Sequence, residues 1–128
     1  MRAYFLVFLG AGIGGAMRHG VNMLAFRLLG PSFPYGTFAV NVLGSFAIGV
    51  LAGWFALRGD VTQGMRLFLT TGILGGFTTF SAFSLDAALF YQRGAFGAFA
   101  AYVGGSVALS LVALFAGIAL FRPVHHLL

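Results

Sequence analysis

Apolar residues run almost without interruption through this chain, in four stretches over residues 4–29, 36–57, 63–91 and 95–121. Each is at least as long as the ~20 helical residues needed to cross the hydrocarbon of a bilayer. The breakers fall between them: Gly30-Pro31-Ser32-Phe33-Pro34, Arg58-Gly59-Asp60, Gln92-Arg93-Gly94 and Arg122-Pro123. With 60% of residues hydrophobic and 7% charged, no soluble packing of so short a chain hides its apolar surface. No period-two alternation of a lipid-facing barrel is visible either. Lipid is the expected solvent, and residues 1–128 read as a single domain of four transmembrane helices.

Met1-Arg2 and the run behind it resemble a signal peptide, but the run continues to Met17 and reads as the first span. His125 and His126 read as a tail rather than a metal site. There is no cysteine, hence no disulfide framework and no thiolate ligand or nucleophile. The net charge of +5 comes from arginine alone. These arginines are scattered singly, so a nucleic-acid interface is not expected.

Four spans place both termini on one side, with Arg2, Arg58, Arg66 and Arg122. Arg27 and Arg93 lie on the other side, joined by Arg18 if it reaches that interface. Orientation follows the arginine and lysine bias between loops, and here the bias is nearly nil. The chain is therefore expected to insert both ways up and to pair as a dual-topology antiparallel homodimer. Small residues at helical spacing suit close packing: Gly10 and Gly14; Ser45, Gly49 and Gly53; Gly97, Ala101 and Gly105.

Polar residues inside spans cost free energy unless they find a partner or water. Thr37, Asn41 and Ser45 share one face of the second span, and Tyr102, Ser106 and Ser110 share one face of the fourth. Such stripes serve either helix–helix hydrogen bonds or a polar route. In the third span, paired glycines and paired threonines in Gly72-Ile73-Leu74-Gly75-Gly76-Phe77-Thr78-Thr79-Phe80-Ser81-Ala82-Phe83-Ser84 disfavour a regular helix. A break over 75–79 would free carbonyls, hard oxygen ligands suited to a cation such as Na⁺. Phe80 and Phe83 share a face beyond it, and a ring edge is positive enough to attract an anion. Arg18 is a lone cation that reads as a snorkelling side chain. Asp86 is the only carboxylate near a span. Neither a proton relay nor an enzyme's nucleophile and base can be assembled.

With Gly12-Ile13-Gly14-Gly15-Ala16-Met17-Arg18, Pro34-Tyr35-Gly36-Thr37-Phe38-Ala39-Val40-Asn41 and the 72–84 segment, the sequence resembles the Fluc/CrcB fluoride channels along essentially its whole length. The resemblance implies a dimer with two fluoride pathways in the cell's inner membrane, and a structural Na⁺ at its centre. Backbone carbonyls of Gly75 and Thr78 would hold the Na⁺. Asn41, Phe80 and Phe83 fall on the family's pore residues, and Tyr102, Ser106 and Ser110 on its polar track. Thr37 and Ser81 join this anion pathway, and Arg18 matches the family's first-helix arginine. Ala82 departs from the pattern, where the family commonly carries Thr. The expected function is passive, fluoride-selective export. The rivals are a proton-coupled four-helix exporter, which needs a first-helix carboxylate absent here, and a non-transporting assembly subunit.

Overall fold

The computed structural model describes residues 1–121, and every regular element among them is helical. Arg122, Pro123, His125 and His126 lie outside the described residues. In chain order the elements are α1 (Arg2–Leu29), α2 (Tyr35–Leu57), α3 (Gln63–Arg66), a π-helical stretch (Leu67–Leu74), α4 (Gly75–Phe77), α5 (Phe80–Gln92) and α6 (Phe96–Ala119). Tyr35–Leu57, Gln63–Gln92 and Phe96–Ala119 are long and apolar enough to cross a membrane. The 28 residues of α1 have the length, but Arg2, Arg18, His19, Asn22 and Arg27 make it less apolar. The chain is an all-α, multi-pass membrane protein.

The helix ends follow local chemistry. Gly30 closes α1 at φ 82°, a left-handed conformation that glycine reaches without penalty, and its N–H returns to Phe26 O at 2.9 Å. The Thr62 hydroxyl caps α3 by accepting from Met65 N. In the exposed turn before it, Arg58 pairs with Asp60 at 3.2 Å and holds that carboxyl below its usual range. Arg66 lies over the Phe55 ring, its guanidinium carbon 4.7 Å from the centroid.

The most extensive pairing is α2 with α6, followed by α1 with the π-helical stretch. Both depend on missing side chains. A Cβ on Gly49 would run into the Leu114 carbonyl, and one on Gly117 into the backbone of Phe46 and Val50. Gly10 and Gly14 of α1 face Gly72 and Ile73 in the same way, and Gly76 faces Ala11. Lipid supplies no hydrophobic drive between helices, so close backbone approach supplies the contact. Two of the three small-residue faces expected for pairing are thus used within the chain. The third is open over most of its length, where Gly97 meets nothing within 4 Å and Ala101 is exposed, and only Gly105 lies near a neighbour, the Phe38 ring at 3.9 Å.

The third segment is interrupted at Thr78 (φ −86°, ψ 160°) and Thr79 (φ −153°, ψ 114°), both extended. The sequence pointed to a break over 75–79, but Gly75 and Gly76 remain helical. The close seat of Gly76 on Ala11 keeps that turn wound, and the two β-branched threonines take the extended conformation instead. The π-helical turn upstream had no sequence forecast. Within it, Thr70 Oγ1 donates back to Arg66 O at 2.6 Å.

Candidate ion-permeation site

Helices α2, α5 and α6 bring the two polar stripes face to face. Asn41 comes from α2, Ser106 and Ser110 from α6, and Phe80 and Phe83 from the first turn of α5. All five, with Thr78 and Thr79, line one cavity of about 240 Å³. Phe80 and Phe83 sit with ring centroids 5.6 Å apart. Ser106 is 5% exposed, and its Oγ has no hydrogen-bond partner among the described residues. A buried hydroxyl without a protein partner is rare in native structures and calls for an explanation such as a bound water or ion.

The extended Thr79 explains how a membrane-embedded interruption is tolerated. Its N–H donates to Asn41 Oδ1 at 2.9 Å, and its carbonyl accepts from Asn41 Nδ2 at 3.1 Å. An extended residue carries its N–H and C=O on one edge. The planar carboxamide therefore pairs with it as a neighbouring strand would. Thr79 Oγ1 also caps α5 by accepting from Ala82 N at 3.1 Å. Residue 82 serves the cap through its backbone, which alanine provides as well as threonine.

One turn away, Tyr102 is fully buried and its hydroxyl donates to Asp86 Oδ2 at 3.1 Å. The rings of Phe33, Phe83 and Phe90 surround it, with centroids 5.2 to 5.8 Å away. Thr37 and Asp86 line a larger cavity of about 480 Å³ with Asn22, Ser32, Tyr35 and Arg93. From Tyr102 to Ser110 the stripe on α6 covers ~12 Å at the helical rise of ~1.5 Å per residue.

Other predicted residues lie elsewhere. Ser81 is exposed, lines neither cavity, and approaches the Thr79 hydroxyl at 3.4 Å. Arg18 is half-buried on α1, which packs on α2 and the 63–77 segment but not on α5 or α6. Asp86, noted in the sequence as the only carboxylate near a span, was given no role there. Its i, i+3 spacing from Phe83 was the signal that would have recovered it.

Residues 5–118 match the family model described as CrcB-like protein, Camphor Resistance (CrcB). The chain belongs to the CrcB family. It is 60% identical over 121 residues to the fluoride-specific ion channel FluC of Rhodopseudomonas palustris (strain BisB5), covering 94% of this chain and 98% of that one. To the fluoride-specific ion channel FluC of Methylobacterium nodulans it is 61% identical over 117 residues, 91% of this chain and 94% of that one. A FluC of Granulibacter bethesdensis is 53% identical over 124 residues, with 97% and 98% covered. In this CrcB family member the polar cavity lies between α2, α5 and α6.

Proposed function

We infer that this chain is a fluoride-specific ion channel, not an enzyme, and that fluoride passes along the α2–α5–α6 cavity. The observation that carries the reading is the buried, unpartnered Ser106 hydroxyl facing Asn41, Ser110 and the Phe80–Phe83 pair. Fluoride is small and strongly hydrated, so it needs strong donors at short range in exchange for water. Hydroxyl donors and the positive ring edges of phenylalanine offer that without a full positive charge. Conduction requires sites weak enough to release the ion, and no cation among the described residues lines this cavity. The name borne by the relatives agrees with this chemistry.

Four crossings complete the reading, with α1 as the first and Gln63–Gln92 as one interrupted third. Phe80 is 79% exposed and Ser81 lies open beside it, so one wall of the route is unfinished in a single chain. A second copy in the opposite orientation would close it and give two pathways per dimer, in the inner membrane where cytoplasmic fluoride can be vented. Epitope tags on one terminus should be accessible from both faces of the membrane; accessibility from one face alone would reject dual insertion.

Gly75 and Thr78 suit a hard cation on one structural ground. The amides that would continue the helix onto their carbonyls, Thr79 N–H and Ala82 N–H, are engaged by Asn41 Oδ1 and Thr79 Oγ1. A Na⁺ at these oxygens would supply a fixed positive charge joining two copies at their interrupted segments.

Purified protein in liposomes should release fluoride down its own gradient with no proton or sodium gradient imposed. Chloride at a comparable rate, or a requirement for a coupling gradient, would overturn the channel reading.

A further inference from the structure

We propose that the Asn41 carboxamide sets the direction of the Thr78 carbonyl, so that one side chain positions both the anion cavity and the cation site. The inference rests on the reading of Gly75 and Thr78 as cation ligands.

Thr79 N–H and Thr78 C=O belong to one peptide group. No peptide among the described residues is cis, and in a planar trans peptide the N–H and C=O point in opposite directions. Asn41 Oδ1 holds the Thr79 N–H at 2.9 Å, which turns the Thr78 carbonyl away from α2. The next peptide is held as well, because Thr79 O accepts from Asn41 Nδ2 at 3.1 Å. Two consecutive peptides are therefore locked by one rigid amide. Without it, the Thr78 methyl still rests against Gly44 of α2, but no other hydrogen bond across to α2 among the described residues fixes the direction of these two peptides. The Thr78 side chain does not substitute, because its hydroxyl donates down its own helix to Leu74 O at 3.0 Å.

Asn41 also lines the anion cavity, on the opposite edge of Thr79 from the Thr78 carbonyl. Nδ2 has two hydrogens and Thr79 uses one. The second remains for the cavity. Asn41 is thus a positioning residue toward the cation, whatever it does toward the anion. An alteration at Asn41 made to probe fluoride passage would then disturb cation binding from the other side of the strand-like pair.

The test is Na⁺-dependent thermal stability of the full chain in detergent, titrated with NaCl against choline chloride. This readout needs no fluoride flux. Wild-type protein is expected to gain stability as Na⁺ is added. Asn41→Ala and the shorter Asn41→Ser lose the hold on Thr79 N–H and should raise the half-saturating Na⁺ concentration at least tenfold. Asn41→Asp keeps an acceptor for that N–H and should stay within threefold of wild type while losing fluoride passage. Should Asn41→Ala fail to fold, the comparison of Asn41→Ser with Asn41→Asp decides the matter. Equal midpoints in all variants would overturn the coupling. No Na⁺ effect in wild type would overturn the cation site and the coupling with it, while leaving fluoride passage to be judged by liposome flux alone.

Discussion

Asn41→Asp is expected to lower fluoride flux in liposomes by roughly a hundredfold or more, equivalent to ~2.7 kcal/mol of added barrier. The substitution changes almost no volume and leaves the Thr79 N–H with its acceptor, so the bond that aims the Thr78 carbonyl is kept. What changes is charge. A carboxylate in a cavity of about 240 Å³ faces every anion that enters it. Two like charges 4 Å apart at an effective dielectric constant of 20 repel by ~4 kcal/mol. The same substitution removes a donor and sets a carboxylate oxygen against Thr79 O, where Nδ2 now lies at 3.1 Å. Flux within threefold of wild type, measured with a fluoride electrode on protein that elutes normally, would show that anions do not pass this residue.

The second large effect concerns the frame. Gly14→Ala should strongly destabilise the protein, because its Cβ would collide with the Ile73 carbonyl and approach Phe77 N at 2.8 Å. Neither neighbour is the end of a flexible side chain, so α1 must move off the π-helical stretch. Overpacking of this kind costs about 1–3 kcal/mol, with the upper end expected where backbone meets backbone. Gly12→Ala is the control. A Cβ there meets nothing within 4 Å, and removing a helical glycine favours the helix by up to ~1 kcal/mol. Thermal midpoints in detergent should therefore move in opposite directions for the two variants. Equal shifts would contradict the packing. Dissociation of a dimer by Gly14→Ala without loss of fold would mean that this face serves a partner instead.

Helix ends and polar stripes follow from composition and spacing, because in a bilayer apolar length and 3.6-residue periodicity are nearly the whole signal. The meeting of Asn41 with Ser106 and Ser110 was implied by those stripes. Three features were not available in that way. The interruption lies at the threonines rather than the glycines because Ala11, far off in sequence, seats Gly76 and keeps it helical. Gly10 and Gly14 carry the same spacing whether they meet another chain or their own, and spacing cannot name the partner. Asn41 read as a pore residue, whereas both of its side-chain hydrogen bonds are to Thr79. Each depends on which backbone stands opposite, which periodicity along one helix does not encode.

The pairing of α2 with α6 also has a consequence in time. The whole 63–92 segment lies between these helices in the chain, and Gly49 finds Leu114 only after that segment has been synthesised. Until then Thr37 and Asn41 have no Tyr102, Ser106 or Ser110 to face, and the cavity lacks a wall. A copy lacking α6 would keep Asn41, Phe80 and Phe83 but have no serines opposite them. The cavity therefore takes shape only when α6 has packed on α2.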